Sequence, residues 1–166
     1  MTSISGRVGG RLQGYDVQLS GTLDGHSGHL SGRIGGAQIG REHTLSVQGG
    51  QVTGRLGGSV IGHDVSAALG EHTLTGRVGG ERVGRDVTLN ASGSSVAGRC
   101  GGPLDGFDVR LTVTGAGVTG RLGGRQFGAD MNLTGAAPPL LAALAAVLAY
   151  RAWQEDSRSA VTTTVT

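Results

Sequence analysis

Residues 73–94 read TLTGRVGGERVGRDVTLNASGS and contain two short stretches in which apolar and polar residues alternate. Leu74 and Val78 fall on one face of an extended first stretch, and Val87 and Leu89 fall on one face of the second. Strict alternation with one apolar face is typical of half-buried antiparallel strands. Glycine-rich segments between the stretches favour turns. The pattern therefore predicts one β-hairpin for this unit.

The same unit occurs six times along the chain, and a fixed period of this kind determines the architecture. Its Gly-Arg-x-Gly-Gly core begins at Gly6, Gly32, Gly54, Gly76, Gly98 and Gly120, at intervals of 26, 22, 22, 22 and 22 residues. The extra residues of the first interval fall in Thr22–His29, where we expect a longer loop. Six units of two strands each predict twelve strands.

Each unit also carries an arginine that is followed nine residues later by an acid. The pairs are Arg7–Asp16, Arg33–Glu42, Arg55–Asp64, Arg77–Asp86, Arg99–Asp108 and Arg121–Asp130. Both members fall on the polar face, so folding each unit as a hairpin sets arginine opposite acid, an arrangement worth a few tenths to about 1 kcal/mol. We interpret the series as register-setting pairs on a solvated face, with an anionic ligand site as the alternative.

The final segment has a different composition, since residues 137–158 read APPLLAALAAVLAYRAWQEDSR and contain no glycine. Pro138 and Pro139 suit the first turn of a helix, and we predict that helix over residues 139–155. Its expected core residues are Leu140, Leu141, Leu144, Val147, Leu148 and Trp153. A helix that is apolar all round is buried, and this apolar run is shorter than the roughly 20 residues that span a bilayer.

Together these patterns predict an all-β fold with one C-terminal helix. We expect a twelve-stranded antiparallel meander barrel, because wall side chains alone would not fill so wide a lumen and an apolar helix could. The glycines that begin each repeat core would let the wall approach the helix. We expect one domain over residues 1–158, with the repeats in 1–135 and a flexible tail over 159–166. A β-solenoid capped by the helix is the alternative, but it would stack the arginines about 4.8 Å apart.

This arrangement of six repeats and an apolar helix over Pro139–Trp153 resembles the Tubby-like superfamily. That superfamily includes Tubby C-terminal domains, LURP-one-related proteins and phospholipid scramblases, which are twelve-stranded barrels around a hydrophobic C-terminal helix. The resemblance is one of architecture and covers the whole chain. It implies binding to lipids.

Motifs for catalysis or metal binding are scarce in this sequence. His26 and His29 form an H-x-x-H that could hold a metal, but we interpret them as ordinary loop histidines. His43 and His63 occupy repeat positions and look like repeat variation. Cys100 replaces an aliphatic residue, which favours a buried structural thiol over a nucleophile. The glycines recur within strands, whereas phosphate-binding glycine loops join a strand to a helix. We therefore predict no catalytic residue, cofactor or metal.

Composition narrows the classes of function that remain. Glycine supplies 34 of the 166 residues, and the net charge of +2 is too small to argue for nucleic acid. The chain begins without the apolar stretch of a secretory signal, so we expect a cytoplasmic protein. We expect a non-enzymatic, monomeric binding or scaffold module that recognises anionic lipid head groups or a protein partner and has no membrane span. The alternative is a structural or adhesive repeat protein that forms fibres, with the helix used for oligomerisation or membrane docking.

Overall fold

Twelve antiparallel strands close into a barrel, and one helix follows them at the C-terminal end of the chain. The computed structural model describes residues 2–10, 13–24, 27–36, 40–57, 62–79, 84–102, 104, 106–124 and 128–164, with side chains to residue 157. The fold class predicted from the repeat is confirmed. The antiparallel order excludes the solenoid, which would need parallel coils.

Every strand pairs with its neighbours in sequence, and the first pairs with the last to close the barrel. Closure leaves no free edge among the described strands. The elements are Thr2–Gly9 (β1), Gly14–Asp24 (β2), Ser27–Gly35 (β3), Gly40–Gln48 (β4), Gln51–Gly57 (β5), Gly62–Leu69 (β6), Thr73–Val78 (β7), Arg85–Ser92 (β8), Ser95–Cys100 (β9), Phe107–Val113 (β10), Gly117–Gly123 (β11), Gly128–Thr134 (β12) and Pro139–Thr164 (α1).

The connection between β2 and β3 differs from the expected long loop. The extra residues of the first repeat extend both strands, and Thr22–Asp24 pairs with Ser27–His29 in register. Only residues 25–26, which lie outside the described residues, separate the two strands. The expected loop is therefore mostly strand, because backbone pairing satisfies the N–H and C=O groups that a loop would leave to water.

α1 fills the interior of the barrel. The carbonyl of Pro138 accepts hydrogen bonds from the amides of Leu141 (3.0 Å) and Ala142 (3.1 Å), so the two prolines begin the helix as predicted. All side chains from residue 143 to 149 are 0% exposed. The predicted core residues Leu140, Leu141, Leu144, Val147 and Leu148 are buried, whereas Trp153 is half-buried and packs on the edge of the core.

The helix is longer than predicted. It runs to Thr164 instead of ending at residue 155, so residues 159–164 of the expected flexible tail are helical. The physical reason is that no glycine or proline follows Pro139, and nothing else in the composition breaks a helix. Among the described residues, no helix combines the length and apolar character needed to cross a membrane.

The first glycine of each repeat core is required by its neighbouring strand, which corrects the expectation that these glycines make room for the helix. A Cβ added to Gly6 would lie 2.0 Å from the carbonyl oxygen of Asn132, and one added to Gly32 would lie 1.8 Å from that of Gln18. At the other four positions the nearest atom is also a carbonyl oxygen of the adjacent strand, at 1.9–2.2 Å. Repeated glycine kinks let strands bend around a closed barrel.

Candidate functional site

The two ends of the barrel carry different residues. Because strand direction alternates, the connections that follow the odd-numbered strands all lie at one end, which we call the mouth. α1 begins at the other end, the base, directly after β12, and its C-terminal half emerges at the mouth. In each unit the residue before the acid lies on the inward face at the mouth. These residues are Tyr15, Arg41, His63, Arg85, Phe107 and Ala129.

Two carboxylates of α1 meet three of these wall residues. The hydroxyl of Tyr15 and the guanidinium of Arg41 both donate hydrogen bonds to Asp156. Arg41 also lies 3.6 Å from Glu155, and Nε2 of His63 lies 2.8 Å from Oε2 of the same carboxylate. The Arg41 and Asp156 side chains are only 25% and 19% exposed. We call these five residues the mouth cluster; they hold the emerging helix to the wall.

Aromatic residues cover another part of the mouth. The rings of Phe107 and Tyr150 pack edge to face with centroids 4.6 Å apart, and Tyr150 packs in the same way on Trp153 at 5.9 Å. Such pairs add about 0.5–1.5 kcal/mol beyond their buried area. Tyr150 and Trp153 therefore help to close this end of the barrel.

Tyr15 at the mouth and Cys100 below it have little nucleophilic character. Burial raises the pKa of the Tyr15 phenol above its ordinary value, and the hydrogen bond and charge of Asp156 raise it further. Burial also raises the pKa of the Cys100 thiol to about 11. Both groups are therefore protonated at neutral pH, and the prediction of a buried Cys100 is confirmed.

The histidines singled out in the sequence have separate environments. His26 lies outside the described residues, and Nδ1 of His29 lies 2.8 Å from the hydroxyl of Ser46. Within the described ranges, no group of three or more His, Cys, Asp or Glu side chains could hold a metal ion.

His43 occupies a core position that is valine in four of the other five units. Its side chain is 0% exposed, and Nδ1 lies 3.1 Å from the carbonyl oxygen of Arg55. Nε2 has no hydrogen-bond partner among the described residues. Desolvation by burial lowers the pKa of His43 to about 4. The imidazole is therefore neutral at physiological pH, and it is set too deep to reach a partner in solution.

On the outer wall, each of the six predicted arginine–acid pairs lies directly opposite in register. Five of them are ion pairs: Arg7–Asp16 (2.8 Å), Arg55–Asp64 (2.6 Å), Arg77–Asp86 (2.8 Å), Arg99–Asp108 (2.7 Å) and Arg121–Asp130 (2.9 Å). The carboxylates are mostly exposed, so each pair contributes about 0.2–1 kcal/mol.

The sixth pair is in register but makes no ion pair, which corrects the expectation for Arg33 and Glu42. Instead the Arg33 guanidinium lies against the backbone of Gly40 and reaches the carbonyl oxygen of Gly36 at 3.5 Å. Glu42 is the one glutamate in a series of aspartates. Its longer side chain has more conformational freedom to lose on pairing, and it is exposed to solvent.

Sequence reasoning missed the mouth cluster, although a signal was present. The position before the acid lies on the face that is otherwise apolar, yet Tyr15, Arg41, His63 and Arg85 bring polar groups to it. Buried or half-buried polar groups need partners. Glu155 and Asp156 are the only acids after Asp130 in the sequence, so they were the candidates for these partners on the helix.

Comparisons of the chain with protein-family models, with curated proteins and with solved structures find no match. Since a fold alone does not define a function, any functional conclusion depends on the surfaces and charges described above.

Proposed function

We propose that the protein is a non-enzymatic binding module that uses the outer wall of its barrel to recognise an anionic partner, with anionic lipid head groups as the favoured class. The observation that carries the proposal is the filled lumen. The side chains of residues 143–149 are 0% exposed, so α1 occupies the space in which other barrels hold a ligand. We therefore assign recognition of the anionic partner to the outer wall of the barrel.

The charges of the outer wall support an anionic partner. Arg110 on β10 lies directly opposite Arg121 on β11, and like charges in this position destabilise a sheet. The other five units have Gln18, Thr44, Ser66, Thr88 and Asn132 at the position of Arg110, all of them uncharged. Arg121 is bound to Asp130, whereas Arg110 makes no ion pair among the described residues. An anion bound between the two arginines would relieve their repulsion.

The proposal also covers the class of partner, the cellular location, the oligomeric state and the absence of catalysis. The resemblance to the Tubby-like superfamily implies the same class of partner, and we propose a cytoplasmic monomer. The fibre-forming alternative is less favoured because barrel closure removes the strand edges through which chains would associate. Non-enzymatic action is proposed because the five ionisable side chains of the mouth cluster, which all belong to the described residues, are paired with one another.

Flotation with lipid vesicles tests the proposal. Full-length protein is expected to float with phosphatidylcholine vesicles that contain phosphatidylserine, and to stay behind with phosphatidylcholine alone. Arg110→Asn should reduce flotation several-fold, because it removes the unpaired charge. Thr88→Asn is the matched control, since it changes the equivalent position without changing charge. Equal flotation of the two variants, no flotation of the wild type, or polydisperse fibres in light scattering would contradict the proposal.

A further inference from the structure

A groove of about 410 Å³ crosses the outer wall over β1, β2 and β3. Its polar lining consists of Ser5, Gln18, Ser20, Ser31 and Arg33, and the other lining residues are Ile4, Leu19 and Gly32. No carboxylate belongs to this lining. The groove is therefore rich in hydrogen-bond donors and carries one positive charge.

Register places four of these side chains at the corners of a small quadrilateral. Gln18 lies directly opposite Arg33, and Ser20 lies directly opposite Ser31. Residues opposite each other in an antiparallel pair have Cβ atoms about 4.5–5.5 Å apart. The amide and the two hydroxyls can therefore reach a single small group that lies between them, and the Arg33 guanidinium joins them by turning away from Gly36 and Gly40.

Three donors of this groove are not used by the protein itself, whereas the hydroxyl of Ser5 lies 3.5 Å from that of Thr134. Gln18, Ser20 and Ser31 are exposed, and their side chains make no hydrogen bond within the part of the chain that the structure describes. Arg33 is the one repeat arginine whose acid makes no ion pair with it, and its hydrogen bond to the carbonyl oxygen of Gly36 is long, at 3.5 Å. The groove thus contains the one repeat arginine that makes no ion pair with its own acid.

We propose that this groove binds an oxyanion group, a phosphate or a sulfate, with Arg33 as the charged contact and Gln18, Ser20 and Ser31 as hydrogen-bond donors. Charge-assisted hydrogen bonds from a guanidinium to such an anion are about twice as strong as neutral ones. The site rests on the proposed function, because it supplies a second anion contact on the same outer wall. The oxyanion belongs either to a lipid head group or to a free ester.

Glu42 provides a test that leaves the net charge unchanged. In the other units an aspartate at this position holds the arginine at 2.6–2.9 Å. Glu42→Asp should therefore draw Arg33 into an ion pair and compete with the ligand. Removal of the charge by Arg33→Gln should weaken binding more, and Arg55→Gln, at the equivalent position of the next unit, is the matched control.

The experiment is an NMR titration of isotope-labelled full-length protein with inorganic phosphate and with sulfate, at constant ionic strength set by chloride. Saturable shifts are expected in β2 and β3 and in the Gln18 side-chain amide. Arg33→Gln should weaken the affinity about tenfold and Glu42→Asp several-fold, while Arg55→Gln leaves it unchanged. Uniform weak shifts, or equal affinities for wild type, Arg33→Gln and Glu42→Asp, would overturn the proposal.

Failure of this site and failure of lipid recognition give different results. Loss of phosphate binding with flotation intact would overturn the groove and leave the proposed function standing. Phosphate binding that depends on Arg33, without flotation on anionic vesicles, would support the groove and assign it to a free ester. Flotation that falls in Arg33→Gln as well as in Arg110→Asn would support the groove and assign it to a lipid head group.

Discussion

Nε2 of His63 on β6 lies 2.8 Å from Oε2 of Glu155 on α1, although the two residues are 92 positions apart in sequence. Tyr15 and Arg41 bind Asp156 in the same manner from β2 and β4. The helix is therefore held in two ways. Apolar side chains pack along the lumen, and polar contacts at the mouth join its emerging end to the wall.

Asp156→Ala is expected to lower the free energy of unfolding by about 1–3 kcal/mol, because it leaves the partly buried Arg41 and Tyr15 without their shared acceptor. Urea unfolding measures the change. Asp86→Ala is the matched control, since its side chain is 78% exposed and its ion pair with Arg77 lies in water; the expected loss there is below about 1 kcal/mol. An equal loss in the two variants would show that the mouth cluster has no special role.

His43 predicts a dependence of stability on pH. Its pKa falls from 6.5 to about 4 on folding because burial disfavours the charged imidazolium. The unfolded chain therefore binds more protons between those values, and the free energy of unfolding falls as the pH drops from about 6.5 to about 4. A shift of that size corresponds to about 3 kcal/mol.

His43→Val places the usual repeat residue at this position and should remove that part of the pH dependence. Unfolding of both proteins in urea at pH 7, 5.5 and 4.5 measures it. His72→Gln serves as the control, because His72 is 72% exposed and its change should leave the wild-type slope intact. If His43→Val lost stability with falling pH as steeply as the wild type, the buried histidine would not be its source.

Gly98→Ala is expected to cost about 3 kcal/mol or more, or to prevent folding. The added methyl would lie 1.9 Å from the carbonyl oxygen of Thr88 on the neighbouring strand, and neither backbone can move without breaking the ladder. Gly115→Ala is the control, since a Cβ there meets nothing within 4 Å. Thermal unfolding followed by circular dichroism compares the two variants. A Gly98→Ala protein as stable as the control would contradict the claim that the adjacent strand requires glycine at this position.

Strand number and register are predictable from this sequence because they depend on local patterns. Alternation defines the two strands of each unit, and the nine-residue interval between Arg77 and Asp86 sets them opposite each other across the hairpin. Burial of Leu144 follows from a helix with no polar face. These inferences need only the periodicity of extended and helical chains.

Other features depend on relations that the repeat does not contain. Because the helix is apolar on all sides, the sequence does not indicate how it is rotated about its axis inside the lumen. The partners of Glu155 and Asp156 could therefore not be predicted from the sequence. The closed sheet, not the helix, explains Gly32, because the clash is with the adjacent strand. Arg33 and Glu42 keep the charge pattern of the series, and only the extra methylene of Glu42 distinguishes their pair.

The most direct measurement compares the full-length protein with two shortened chains, one ending at Ala136 and one ending at Ser157. The first lacks α1 and exposes the apolar lining of the lumen, whereas the second keeps the mouth cluster and loses only residues beyond it. Far-UV circular dichroism and size-exclusion chromatography report folding and assembly. The barrel-around-helix account predicts that the chain ending at Ala136 unfolds or aggregates and that the chain ending at Ser157 stays folded and monomeric. A chain ending at Ala136 with the full-length strand spectrum and a monomeric elution volume would contradict it.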